Sequence, residues 1–397
     1  MERVNGGDKP SVSEPVRQLR LPPLSLYIHI PWCVRKCPYC DFNSHQREGE
    51  LPEQEYITAL LRDFKQSLHY VQGRQIQTVF FGGGTPSLFS AAAYERLLAE
   101  LQSMVEFAAD IEITLEANPG TAERQKFADY RKLGINRLSI GIQSFNDQQL
   151  KNLGRIHVSN DNRKAVEFAY AAGFENLNLD IMYGLEKQSL ASALADLQET
   201  IALAPRHISW YQLTIEPNTE FFKRPPSLPL ENLLLDIQDQ GLELLSASGF
   251  QRYEVSAFSR HGCQARHNVN YWQFGDYLGI GAGAHGKISM PAQQTIVRTR
   301  KKKQPTHYLA DCTAVTTVVG AQDLPLEFML NALRLQNGFK IDLFEAHTGM
   351  PFSTVAKQIK SLHAKGLLEV SEDRIRTSTK GMQFLNTVLE EFLFSTR

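Results

Sequence analysis

Six short apolar runs, SLYIHI from Ser25, TVFFG, IEITLEA, NRLSIGI, NLNLDIM and ISWYQLTI, are separated along the chain by longer segments whose apolar residues recur with helical spacing. Runs of this length, rich in β-branched and aromatic residues, are β-type, and each intervening helix makes a βα unit. Strands joined through helices lie parallel, because antiparallel neighbours need only a tight turn, and the helices then cover the sheet. The pattern predicts an α/β sheet or a partial barrel, with functional side chains gathered at the C-terminal ends of the strands.

Outside this repeat the chain changes character three times. Residues 1–20 are polar, contain Pro and Gly and show no periodicity, which predicts a disordered lead-in. Between about 225 and 320 the pattern turns irregular, with a β-type run at YEVSAF and the glycine-rich LGIGAGAHG, so the core is taken to extend over 21–320. From 321 to 397, LEFMLNALRL, IDLFEAHTG and STVAKQIKSLHAKGLLEV are helix-like, DRIRTSTKG reads as a polar hairpin and MQFLNTVLEEFLF as a last helix. That order predicts a small winged-helix-like C-terminal domain.

With 42% hydrophobic residues the chain can bury a large core, and a net charge of -1 gives no overall pull toward nucleic acid or an anionic membrane. No stretch approaches the roughly 18 to 20 apolar residues of a membrane span, and no apolar segment follows a basic start at the N-terminus. A cytoplasmic protein is expected.

Of five cysteines, Cys33, Cys37 and Cys40 crowd into eight residues directly after the first run. An odd count with this crowding favours metal ligation in a reducing compartment over disulfides. Three thiolates on one tight loop can converge on one inorganic centre; an iron–sulfur cubane would keep one iron free of protein ligands, whereas a structural zinc would need a fourth partner.

Phe81-Gly82-Gly83-Gly84-Thr85-Pro86 ends the second run, where missing Cβ atoms let backbone groups approach a ligand, a plain turn being the alternative. Glu116, then Gln143 with Ser144, and Asp180 are polar residues emerging at the ends of later apolar runs. Arg155, in LGRIH, suits a bidentate contact with a carboxylate, and Asp180 can accept from a hydroxyl or amine. Taken singly, each is also compatible with a cap, a turn or an internal ion pair.

At the cysteines the sequence resembles the radical S-adenosylmethionine (SAM) superfamily, whose C-x-x-x-C-x-aromatic-C motif is met with Tyr39 before Cys40. The resemblance implies a partial (β/α) TIM-like barrel carrying a 4Fe-4S cluster on Cys33, Cys37 and Cys40. SAM would chelate the open iron through its amino and carboxylate groups, and its reductive cleavage gives a 5′-deoxyadenosyl radical. The resemblance also implies that Gly83, Gly84 and Thr85 hold the methionyl amino group, that Glu116, Gln143, Arg155 and Asp180 meet ribose, carboxylate and adenosyl, and that Tyr27, Thr214 and His285 lie beside SAM.

From Ser25 onward, LYIHIPWC, FFGGGTPS, EANPG, NRLSIGIQSF, LGRIH, LDIMYGL, SWYQLTIEPNT and GIGAGAHG together resemble the oxygen-independent coproporphyrinogen III oxidase family, and HNVNYW matches the HN-x-x-YW element of its haem chaperone branch. The oxidases carry a further cysteine two residues after the third, where this chain has Phe42, which argues against decarboxylation of coproporphyrinogen. The branch implies haem as bound cargo, an acceptor protein for it, at most transient contact with a membrane haem protein, and haem contacts at His267, Tyr271 and Trp272. A histidine beside two aromatic residues can ligate haem iron while the rings cover the macrocycle, and a hydrogen-bonded structural histidine is the alternative. Cys263 is another possible iron ligand, whereas Cys312, without a clustered partner, reads as a small buried hydrophobe.

A haem chaperone is the preferred reading, ahead of a porphyrinogen oxidase. A radical SAM enzyme acting on RNA is prompted by the C-terminal domain and by the basic run Arg298, Arg300, Lys301, Lys302 and Lys303. Balanced charge and the absence of interleaved aromatic and basic residues speak against nucleic acid.

Overall fold

The computed structural model describes residues 18–120 and 123–393. Most of the expected lead-in lies outside the described residues. Of its last three residues Gln18 and Arg20 are exposed, whereas Leu19 is buried in the C-terminal core and its N–H donates to the Gln294 side chain at 3.1 Å.

The six runs form strands β1 (Leu24–Ile30), β2 (Ile76–Gly83), β3 (Phe107–Ala117), β4 (Arg137–Gln143), β5 (Asn176–Tyr183) and β6 (His207–Gln212), paired in parallel in chain order. Crossover helices α1 (Glu53–Ser67), α2 (Ala91–Met104), α3 (Glu123–Lys132), α4 (Ser159–Ala171) and α5 (Leu190–Ala202) connect them. The helices form where the sequence supplies an apolar stripe and a cap. In α1, Tyr56, Leu60 and Phe64 recur every four residues and are fully buried, while the Ser90 and Ser189 hydroxyls accept the N–H of the third residue of α2 and α5, Ala93 and Ser192. Every residue of β4 is buried, as expected of a strand covered on both faces.

The irregular stretch holds more structure than its pattern suggests: helix α6 (Glu231–Ala247), a short helix α7 (Arg266–Trp272), and strands β7 (Asp276–Ile280), β8 (His285–Met290), β9 (Thr295–Arg300) and β10 (Val315–Val318). Strand β7 pairs in parallel with the free edge of β1, setting Tyr27 opposite Gly279, and β8 to β10 continue antiparallel. With Gln251–Arg252 and Ala257–Ser259 at the other edge, the described residues form a twelve-stranded sheet whose parallel centre is a partial (β/α) barrel. No helix among the described residues is long and apolar enough to cross a membrane.

The C-terminal part comprises α8 (Leu324–Ala332), α9 (Ile341–Thr348) and α10 (Ser353–Ala364), then a hairpin of Leu368–Val370 and Arg374–Thr377 to which Phe339–Lys340 adds a third strand. This is a winged-helix arrangement. Its core, built on Phe328, Phe344 and Leu362, also takes in Phe274 and Ile296 from the barrel, so the two parts share buried surface.

Candidate functional site

Strand β1 delivers the chain through Pro31 into the cysteine loop, which a two-residue parallel pairing of Trp32–Cys33 with His45–Gln46 closes at its base. Cys33, Cys37 and Cys40 are free thiols lining one cavity of about 260 Å3 above the strand ends. Burial holds the Cys33 and Cys40 thiols above their ordinary pKa, so they are neutral until a cation draws out the thiolate. Among the described residues, no three His, Cys, Asp or Glu side chains are drawn around a single point. A cubane takes each thiolate on a different iron, so three unpaired thiols spread along one cavity wall, with room in front of them, fit such a cluster.

The opposite wall is built from successive strand ends. Glu116 accepts the Gly83 N–H at 3.1 Å, and burial, aided by nearby Asp180, pushes its carboxyl up to about 8. Asp180 accepts from Ser139 at 3.1 Å and Asn178 at 2.8 Å, and burial raises its pKa too. Gln143 sits where the β4–β5 register slips, at φ 71°, a left-handed conformation that costs a non-glycine residue about 1–2 kcal/mol. That twist turns its side chain into the cavity, where Tyr211 donates to it at 2.9 Å. Arg155 donates to Asn118 at 2.7 Å and to the Gly141 carbonyl at 2.8 Å, and reaches 3.8 Å from the Cys37 sulfur; its buried Nε has no partner among the described residues.

Gly84 and Gly83 are explained by protein packing. A Cβ on Gly84 would stand 2.6 Å from the Trp32 carbonyl oxygen, and one on Gly83, at φ 116°, would stand 2.6 Å from the His29 ring. Thr85 joins the same wall, accepting from Asn118 at 2.9 Å. The expected residues Gly83, Gly84, Thr85, Glu116, Gln143, Arg155 and Asp180 thus share one cavity with the three cysteines. Sequence reasoning missed Asn118 and Tyr211; the first follows Glu116 within EANPG, and the second carries no local signal.

A second cavity of about 440 Å3 adjoins the first, sharing Phe42, Gly83 and Glu116. Tyr27 and His285 line this one, not the cysteine cavity. Here the Tyr27 hydroxyl bonds His29 Nδ1 at 3.0 Å and His29 Nε2 bonds the Asn43 carbonyl at 2.9 Å. A carbonyl only accepts, so Nε2 carries the proton and Tyr27 donates to Nδ1. Burial lowers the His29 pKa to about 4, keeping the ring neutral.

Helix α7 carries the HN-x-x-YW element and closes the barrel from below, its first N–H groups donated to Glu112 on β3. His267 is 1% exposed; Nδ1 bonds Thr78 Oγ1 at 2.7 Å and Nε2 bonds the Tyr271 hydroxyl at 2.9 Å. Both nitrogens are engaged and no face is open, so the structure places His267 in the core rather than where haem iron could reach it. Tyr271, four residues on and therefore on the same helical face, does project into the second cavity. Trp272 turns the other way and packs under Arg334, 4.4 Å from its ring, against the C-terminal domain.

Thr214 lies two residues beyond the end of β6, exposed and on neither cavity wall. Cys263 lines neither cavity, and its sulfur contacts the His261 carbonyl. Cys312 is buried as expected, though its sulfur also accepts from Arg62 at 3.3 Å.

The radical SAM superfamily model matches residues 27–199, and the HemN C-terminal domain model matches residues 319–384. The heme chaperone HemW of Escherichia coli (strain K12) is 48% identical over 94% of this chain and 99% of its own length. That of Lactococcus lactis is 32% identical over 94% and 97%. The mitochondrial radical S-adenosyl methionine domain-containing protein 1 of Mus musculus is 33% identical over 92% and 86%. The solved structure of coproporphyrinogen III oxidase (HemN) from Escherichia coli superposes with a TM-score of 0.79 over 95% of this chain and 91% of that one, at 24% identity, which shows a shared fold.

Proposed function

The chain belongs to the HemW family of radical SAM proteins, and from that premise we propose that it binds haem and passes it to an acceptor protein in a reducing compartment, the cytoplasm. The observation that carries this reading is likeness along almost the whole length of proteins named heme chaperones. Phe42 supports it: 60% exposed, it lines both cavities at the position where the oxidases have their additional cysteine.

Cys33, Cys37 and Cys40 would hold the cluster, and SAM would occupy the cavity between them and the strand ends. When bound, the two supply one-electron chemistry at this rim. The protein's own part is to position and to exclude water. Arg155, kept charged and anchored by Asn118 and Gly141, offers the cation for a carboxylate beside Cys37. Glu116 and Asp180, buried carboxyls with raised pKa, suit hydroxyl and amine donors, and Gln143 is held at the same wall by Tyr211.

The test is an anaerobic titration of the cluster-reconstituted protein with haem, run beside a coproporphyrinogen turnover assay containing SAM and reductant. Saturable haem binding without decarboxylation is expected; turnover without haem binding would return the protein to the oxidases. In parallel, Cys33→Ser, Cys37→Ser and Cys40→Ser are expected each to abolish the cluster's visible absorption, and full cluster content in all three would overturn the ligand assignment.

A further inference from the structure

Resting on the haem reading, we infer that the second cavity is where the porphyrin sits, with His285 as its iron ligand and Arg300 and Lys303 at its propionates. The cavity, about 440 Å3, falls within the roughly 300–1,000 Å3 of small-molecule and cofactor sites and is walled by aromatic rings, Tyr27, Phe42, Tyr271 and Tyr277. Flat apolar faces with a few polar groups at one end are what a macrocycle bearing two carboxylates requires.

Two imidazoles line it, and only one is free. Both nitrogens of His29 are committed, to Tyr27 and to the Asn43 carbonyl. The ring of His285 makes no hydrogen bond among the described residues and is exposed at the start of β8. Partial burial and the cations around it lower its pKa, so the ring is neutral and presents a lone pair, the form that ligates iron. His267 has a different part: it bonds the Tyr271 hydroxyl from below and so fixes one aromatic wall.

The basic run then resolves into two kinds of cation. Arg298 is paired with Glu327 and donates to Tyr277, Lys301 is buried against Asp63, and Lys302 is paired with Asp311. Arg300 and Lys303 have no carboxylate partner among the described residues. Arg300 lies directly across from His285 in the β8–β9 pairing, where cross-strand side chains stand side by side, and Lys303 lines the cavity itself. Two uncompensated cations beside a free imidazole form an anion-binding mouth.

The experiment titrates ferric haem and metal-free protoporphyrin IX into full-length protein, wild type and variants, following the Soret band and the affinity. His285→Ala is expected to shift the Soret band and weaken haem by about tenfold or more while leaving protoporphyrin unchanged, because only the iron loses a partner. Arg300→Glu with Lys303→Glu, both exposed and therefore compatible with folding, is expected to weaken both ligands by about tenfold. His267→Ala is expected to keep the wild-type Soret position. Failure of wild type to bind haem would sink the haem reading itself. Wild-type binding with an unaltered Soret band and affinity in His285→Ala, or loss of the band only in His267→Ala, would overturn this inference alone.

Discussion

Asp63 on α1 anchors the elements that frame the second cavity, so its removal should be among the costliest changes in the barrel. Its carboxylate is fully buried and accepts from the Gly281 N–H at 3.2 Å, the Tyr308 hydroxyl at 2.8 Å and the Lys301 ammonium. Asp63→Ala leaves Lys301, itself 4% exposed, as a buried charge whose remaining partner is the Cys312 carbonyl at 3.2 Å. Breaking such a pair from one side costs about 3–5 kcal/mol. The Tyr308 hydroxyl, which loses its acceptor while the Gly281 N–H keeps the Tyr308 oxygen at 3.1 Å, accounts for about 1–3 kcal/mol of this, and the stranded ammonium for the rest. Adding Lys301→Met removes the charge but not the orphaned Tyr308 hydroxyl, so the double variant should recover the larger share. Urea unfolding of the three proteins, followed by far-ultraviolet circular dichroism, measures both steps. A loss below about 1 kcal/mol in Asp63→Ala, or a double variant no more stable than the single, would refute the assignment of Asp63 and Lys301 as a mutually dependent pair.

Two further outcomes follow from the sites. Glu116 keeps its proton in the folded protein up to about 8, whereas the unfolded chain loses it near the ordinary 4.5, so the unfolded state binds fewer protons between those values and stability falls as pH rises through them. Glu116→Gln should flatten that part of the curve in unfolding experiments from pH 5 to 9; slopes identical to wild type would contradict the burial argument. His267→Ala strips a partner from two hydroxyls, Thr78 and Tyr271, and is expected to cost about 1–3 kcal/mol in the same assay, with an unchanged midpoint as the refuting result.

Much of the first cavity was legible in the chain because its residues sit at the ends of apolar runs. In a parallel sheet with helical crossovers, every strand end reaches the same rim, so Glu116, Gln143 and Asp180 meet once the strands pair in order. The second cavity was not legible in this way. Apart from Gly83 and Glu116, its walls come from β1, the cysteine loop and the stretch from Tyr271 to Lys303, and nothing local to YEVSAF or GIGAGAHG signals that β7 docks beside β1. His285, which the family resemblance sets beside SAM, lines this second cavity, next to the first.

Local chemistry by itself determined the βα repeat, the thiol loop after β1 and the identity of the polar residues at the rim, since each depends on periodicity or on spacing within a few residues. Only the tertiary structure decided which face each side chain presents. It turned His267 into the core because helical spacing brought Tyr271 and strand pairing brought Thr78 within hydrogen-bond reach. It neutralised three cations of the basic run with carboxylates from α1, α8 and the segment after β9, and left Arg300 and Lys303 beside His285. Those contacts join residues as many as 238 positions apart, and no pattern within a single segment encodes them.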